Sequence, residues 1–413
     1  MLRSRQWAGW AVALLSGCSG YGVDPDDVGT TGAAMTDDVE VAEIVVRNRV
    51  FLRRDLWSSE DIERIGYEGR PNQKSDSAEV LAAQLRGHML RNGIYYIELE
   101  PNLDLAERIL RGEGSEGTPS QPPREGRRVI GSDSRAVAGN AMAYPGTTFG
   151  FQEIRCTGTK IGRRTMYTAA HCVYETFSSP NGWYCDDESV GSCTNRPRWR
   201  FGVNGTTGFT NWTPYNCHGV TIPTAFVNLT SSSTIWEIAR FDFAAVDMTG
   251  CGTDNTGWLG TIPADDATLL GIIGYNWGYP ARATCPAGAL GQPGFTTNGT
   301  NVLGTDCPGT GNWPGSTWQL NGTAAPYSGA RLWVSNNSNV SKGDVWGDDT
   351  IKSTVDITNG HSGGSLYYIV SGSDRRVVGC ASTHGPTFNT FNRWTTGVHN
   401  FVAAFTPFPD DTL

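Results

Sequence analysis

Two short segments of this chain hold residue types that do chemistry together. Asn359-Gly360-His361-Ser362-Gly363-Gly364 sets a serine among glycines, and Thr168-Ala169-Ala170-His171-Cys172 sets a histidine beside two small residues. Glycine has no Cβ, so the backbone can turn sharply at such a serine and present its N–H groups inward. Two inward N–H groups beside a hydroxyl can hold an oxyanion while the hydroxyl attacks a carbonyl. A serine hydroxyl is a weak nucleophile. It needs a neutral imidazole within reach and a buried carboxylate to fix that imidazole's tautomer. His171 is the candidate base. Asp242 is the candidate carboxylate, because it lies in Arg240-Phe241-Asp242-Phe243-Ala244-Ala245-Val246, which reads as an apolar strand where a charge needs a partner. Together these residues imply peptide-bond hydrolysis by Ser362, His171 and Asp242.

The elements that must position these groups read as strands. Beyond Arg128, short apolar runs alternate with Gly, Asn, Pro and Thr, as in Thr148–Phe151, Phe241–Val246, Leu269–Ile273 and Ser365–Val370. Such density without long helices predicts an all-β sandwich or barrel. Cys156 and Cys172 are spaced so that a bridge would pin the His171 loop to the preceding strand, typically worth ~2–4 kcal/mol. The tryptophans of this region read as core and loop packing.

The first 128 residues differ in texture. Arg3 and Arg5, a short apolar run from Trp7 to Leu15, and Leu15-Ser16-Gly17-Cys18 read as an export signal. Leu-Ser-Gly-Cys resembles the bacterial lipobox, which implies residues 1–18 as a lipoprotein-type signal with lipid on Cys18, the chain's expected contact with a membrane. Residues 19–35 read as a flexible tether. Residues 36–112 are charge-rich, with a helical pattern over Ser77–Leu90 and a strand over Ile94–Leu99, a small α+β module. Residues 113–126 are a Gly/Ser/Pro/Glu linker ending in the dibasic Arg127-Arg128. The formal net charge of −9 argues against nucleic acid. Ten cysteines fit an oxidising compartment; with Cys18 set aside an odd number remains, so at least one is unpaired within the chain. Cys217-His218 lacks a second ligand pair at zinc spacing and Asp186-Asp187-Glu188 reads as a solvated loop, so neither metal nor cofactor is expected.

Ala169-Ala170-His171-Cys172, Asp242-Phe243-Ala244 and Gly360-His361-Ser362-Gly363-Gly364, in that order, resemble the chymotrypsin-like serine endopeptidases. Val129-Ile130-Gly131-Ser132-Asp133-Ser134-Arg135, Tyr144-Pro145, Gly278-Tyr279-Pro280 and Asp356-Ile357-Thr358 make the bacterial glutamyl endopeptidases the nearer likeness. The resemblance covers about 129–405. It implies two six-stranded antiparallel β-barrels with the triad between them, the backbone N–H groups of Gly360 and Ser362 as the oxyanion hole, and residues 36–128 as propeptide and linker before a protease domain at 129–413.

The chain departs from that family in three places. His361 stands where trypsin-type enzymes carry the aspartate that receives the new N-terminus. Residues 281–325 read as an inserted Gly/Thr/Asn-rich loop. The candidate pocket residues Asp356, Thr358, Ser382 and His384 leave specificity open. Acidic or broad preference is the first reading, and Asp356 at the pocket floor, selecting Lys or Arg, the other. A non-catalytic homologue that binds through the cleft is the rival class. Partners implied are protein or peptide substrates and the chain's own propeptide, in an exported protein, either surface-anchored or released.

Overall fold

The computed structural model describes most of residues 41–113 and 148–410. Residues 1–40, 114–147, 185–197 and 202–214, most of 280–339, several short turns, and Asp356, Thr358 and Asn359 lie outside the described residues. Cys18, the tether, the linker and the Val129 start therefore lie outside them too.

The N-terminal module is built from strands β1 (Glu43–Val46) and β2 (Arg49–Arg53), helices α1 (Ser59–Glu68) and α2 (Ala78–Gln84), strands β3 (Gly87–Arg91) and β4 (Ile94–Glu98), and helix α3 (Leu103–Leu110). Its helices start where side chains supply missing acceptors: Ser58, Ser77 and Asn102 each accept an N–H of the first turn. The helical pattern over Ser77–Leu90 breaks after Gln84, and the remainder becomes β3. Asn92 and Gly93, both at positive φ, turn β3 into β4.

The first lobe follows with β5 (Phe149–Gln152), β6 (Cys156–Lys160), β7 (Thr165–Thr168), the short pair β8 (Tyr174–Glu175) and β9 (Gly182–Trp183), then β10 (Arg198–Phe201), β11 (Tyr215–Asn216), β12 (Gly219–Pro223), helices α4 (Thr224–Val227) and α5 (Ile235–Phe241), and β13 (Ala244–Asp247). The second lobe contains β14 (Gly260–Thr261), α6 (Asp266–Gly271), β15 (Gly274–Gly278), β16 (Phe295–Asn298), β17 (Asn301–Gly304), β18 (Trp318–Asn321), β19 (Trp333–Asn337), β20 (Val340–Asp344), β21 (Gly347–Ser353), β22 (Ser365–Ser371), β23 (Asp374–His384) and β24 (Asn389–Arg393). Helix α7 (Thr396–Phe405) ends the fold.

Two large, mostly antiparallel sheets result, in keeping with the all-β character the sequence leads one to expect. One has eleven strands in the order β1-β2-β4-β3-β12-β13-β7-β6-β5-β10-β11. The other has eight, β19-β15-β22-β23-β24-β21-β20 with β14 parallel to β23. Neither sheet has the expected six strands: in the first, four come from the module and seven from the first lobe, β3 pairing antiparallel with β12 from Gly219↔Arg91 to Pro223↔Gly87. Within the expected loop 281–325, β16, β17 and β18 form their own three-stranded sheet. Leu269–Ile273 is not a strand either. Asp265 caps α6 by accepting from Thr268 N at 2.7 Å, and Leu269 alone of that run's first residues turns fully inward. No helix of the described residues is long and apolar enough to cross a membrane.

One apolar core runs from the module through the first lobe to α7, joining Phe51, Leu85 and Tyr96 with Phe226, Phe401 and Phe405. A second, around Leu269, Ile351, Leu366 and Phe391, fills the other lobe. Trp183, Trp199, Trp258 and Trp277 are buried in accord with packing.

Three buried histidines make this fold acid-sensitive: His361, described below, and two that lie apart from it. His88, with Nδ1 2.6 Å from Tyr95 Oη, is pushed down to about 3 by burial and then by Arg86 and Arg54. His399, packed between Trp394 and Phe408, is pushed down to about 4 by burial. An unfolded histidine titrates near about 6.5. Between those values the unfolded chain binds protons that the folded chain refuses, so stability is complete above about pH 6.5 and declines as pH falls toward 4 and then 3. Thermal melts should show Tm falling from about pH 7 to about pH 4, and His399→Phe should flatten the decline. A Tm indifferent to pH over that range contradicts the assignment.

Candidate active site

Asp242 is not part of the strand the apolar run suggested. It caps the C-terminus of α5, its N–H donating to Ile238 O at 3.0 Å, and β13 begins only at Ala244. Helix end and strand start are both buried here, so no periodicity separates them in sequence. The helix itself opens with a reciprocal cap: Thr234 Oγ1 accepts from Glu237 N at 3.2 Å, and the Glu237 carboxylate accepts from Thr234 N at 2.7 Å. The turn at Asp242 delivers its carboxylate, with no solvent exposure, to the short helical turn Ala170–Cys172 that carries His171.

Three donors meet that carboxylate. The His171 backbone N–H donates to Oδ1 at 2.9 Å, His171 Nδ1 lies 2.6 Å from Oδ2, and the Ser382 hydroxyl donates to Oδ2 at 2.5 Å. A carboxylate oxygen only accepts, so Nδ1 carries the hydrogen and the neutral ring keeps its lone pair on Nε2. The imidazole is 30% exposed while the carboxylate is fully covered. Burial opposes the imidazolium, but Asp242, with Glu175 behind it, outweighs burial and lifts the His171 pKa above its usual value. Ser382, a candidate pocket residue in sequence, gives its hydroxyl to Asp242. Its position on β23 beside Ala381, whose N–H pairs with Gly364 O at 2.9 Å, turns it inward.

The serine loop is held from two sides. Thr157 N–H donates to Ser362 O at 2.8 Å, and Thr157 Oγ1 donates to Gly360 O at 2.7 Å while accepting from Tyr279 N at 2.8 Å. On the far side Gly363 N–H donates to Ala381 O at 2.8 Å. Gly360 and Gly363 sit at φ +96° and +76°. A Cβ on Gly363 would lie 2.1 Å from Thr168 Oγ1 and 2.3 Å from Thr157 O, so only glycine fits. Ser362 and His171 share no hydrogen bond in this structure; in enzymes such bonds commonly tighten only when substrate is bound.

The Cys156–Cys172 disulfide is present, with Cα atoms 5.8 Å apart, and ties the residue after His171 to the residue before Thr157. His361 is buried, its Nδ1 2.9 Å from Asn276 Oδ1. Asn276 Nδ2 donates to Gly364 O and Ser365 O, so its Oδ1 is an acceptor and His361 Nδ1 is the donor. Burial pushes His361 down to about 4, so the ring is neutral near pH 7 and offers no charge to a new N-terminus. Thr157 and Asn276 carry no signal in sequence, since each acts through backbone geometry that only the fold creates.

Asp356 and Thr358 lie outside the described residues. His384 closes β23 opposite Asn389, and its side chain lies outside them as well. Cys185, Cys193, Cys217, Cys285 and Cys307 do likewise. Among the described residues the one grouping of metal-ligating types is Cys156, His171 and Cys172, and its two sulfurs are joined to each other, so neither is a thiolate donor.

Gly363→Ala should lower Tm by about 5 °C or more, through overlap and positive-φ strain combined. Gly271→Ala, where a Cβ meets nothing within 4 Å, is the control and should change Tm little. Equal effects of the two would contradict the packing described around Ser362.

No family model matches the chain. Over 177 residues, 40% of the chain and 46% of the relative, it is 28% identical to a glutamyl endopeptidase of Bacillus licheniformis. Over 152 residues, 36% of the chain and 40% of the relative, it is 26% identical to an extracellular metalloprotease of Bacillus subtilis. The matches thus span under half the length of either relative. Solved structures that overlap include a Glu endopeptidase in complex with MPD, at TM-score 0.40 and 18% identity over 67% of this chain and 97% of that one. A protease from Arthrobacter nicotinovorans overlaps at TM-score 0.39 and 15% identity, over 63% and 96%. In the order of its motifs, its two-sheet architecture and its partial sequence likeness to a glutamyl endopeptidase, the chain is similar to the chymotrypsin-like serine endopeptidases.

Proposed function

We propose that this chain is an exported serine endopeptidase working through an acyl-enzyme. The observation that carries the reading is the fully buried Asp242 carboxylate, engaged at once by His171 N, His171 Nδ1 and Ser382 Oγ. That arrangement fixes the tautomer that leaves Nε2 free to take a proton. In the proposed cycle Ser362 Oγ attacks the scissile carbonyl and His171 Nε2 takes the hydroxyl proton. The oxyanion rests on the N–H groups of Gly360 and Ser362. His171 then protonates the leaving amine, and water repeats the sequence to free the acid.

Substrates in this reading are peptides and proteins, and preference before the scissile bond is acidic or broad, supported by likeness to a glutamyl endopeptidase. Residues 36–128 are the propeptide and linker, cut to expose Val129 or Ile130, and Cys18 carries the lipid. Neutral His361 supports an activation without the trypsin-type ion pair.

Ser362→Ala should reduce turnover on the order of a million-fold, the scale on which subtilisin, a serine protease of unrelated fold, loses turnover without its nucleophile. Ser382→Ala, losing one hydrogen bond to a buried charged acceptor, should cost roughly 1.5–3 kcal/mol of stability and lower Tm, and should lower kcat/KM at temperatures where the variant stays folded, because Asp242 then orients His171 less firmly. Because the raised His171 must be neutral to act, kcat/KM should rise with pH through an ionisation above about 6.5. Undiminished hydrolysis by Ser362→Ala, or an acid limb well below that pH, contradicts the mechanism. A peptide-library profile should show cleavage after Glu or Asp or after many residues; cleavage confined to Lys and Arg would instead put Asp356 at the pocket floor.

A further inference from the structure

The module of residues 41–112 is joined to the first lobe as an interior, not as a lid. Its strand β3 supplies one full edge of β12, whose other edge pairs with β13. Gly87 sits so close to α7 that a Cβ would lie 2.7 Å from Phe405 Cζ. Over the same Phe405 ring, at 4.4 Å, lies the Arg49 guanidinium, buried in an ion pair with Glu98 at 2.6 Å, whose other oxygen accepts from Gly87 N. Arg47 donates to Ala403 O and Thr406 O at the end of α7 and pairs with Asp410 at 2.9 Å. On the other flank, Thr224 N and Oγ1 both donate to Arg86 O, and Asn228 Nδ2 donates to Gly66 O and Gly69 O, fastening α4 to the module. Pro71 and Asn72 line a cleft with Trp236, Glu237 and Arg240 of α5, the helix that ends in Asp242.

From these contacts we infer that residues 41–112 form a permanent non-covalent subunit. After the linker is cut the module stays on the face made by β12, α4 and α7 and keeps the Asp242 helix in place. This deepens the propeptide reading above, from a segment removed on maturation to one retained. Its removal would turn β12 into an open sheet edge and bare Phe226, Phe401 and Phe405, which are buried in the shared core.

The test uses the full chain carrying Ser362→Ala, with a recognition sequence for a site-specific protease placed between residues 114 and 128. After complete cleavage the two fragments should co-elute one-to-one at about 0.1 μM. Amides of 219–222 should keep the hydrogen-exchange protection of the uncut chain. Separation of the fragments, or rapid exchange in 219–222 after cleavage, overturns the inference. Gly87→Val should loosen the cut complex, and Arg47→Ala, which adds no volume, gives a second measure if the valine variant fails to fold. Neither should shift elution if the module is a loosely held leader. Because the chain tested has no nucleophile, this outcome is independent of whether Ser362 is catalytic.

Discussion

A carboxylate fully removed from water has to be surrounded by donors, and Asp242 is the place in this protein where that requirement is met. Its three donors come from two distant segments, the turn around His171 and strand β23 at Ser382. Unpaired, the buried charge would cost several kcal/mol. The helix that ends at Asp242, the turn that carries His171 and the strand that carries Ser382 are therefore held together by one electrostatic demand, and any displacement of one of them strands the charge.

From that point the contacts close into a ring. Asp242 holds His171; Cys172 is covalently joined to Cys156; Thr157 holds Ser362 and Gly360; Gly363 holds Ala381; and the neighbouring Ser382 returns to Asp242. The serine and the imidazole are thus positioned without a bond between them, each by its own partners. Tyr279 and Asn276 brace the ring from β15 and the turn after it, through Thr157 and His361. A site preorganised in this way leaves little reorganisation for the reacting state.

Much of this is legible in sequence, for physical reasons that differ by residue. The serine and histidine stand in local settings, glycines in one and small alanines in the other, that only tight backbone geometry demands. The all-β character shows in the spacing of apolar runs. Asp242 is found by chemistry, as a charge in an apolar stretch, yet the same stretch reads as strand where the fold has a helix end. Thr234 and Glu237, at reciprocal-cap spacing, are the available sign of that helix. Asn92-Gly93 is likewise a hairpin signal. The Ser382 hydrogen bond to Asp242 is not legible, because sequence neighbourhood does not say which face of β23 a residue occupies. The fusion of the module's sheet with the first lobe is not legible, because β3 and β12 are separated by more than a hundred residues and their pairing depends on long-range packing.

Everything proposed for this site requires that the ring activate Ser362. The direct measurement is labelling of the folded, processed protein with a peptidyl organophosphonate, followed by mass mapping of the modified residue. The expected result is a single adduct on Ser362, lost when Asp242 is replaced by Asn while the fold remains. Absence of labelling on the intact protein, or an adduct that persists in the Asp242→Asn variant, would contradict it.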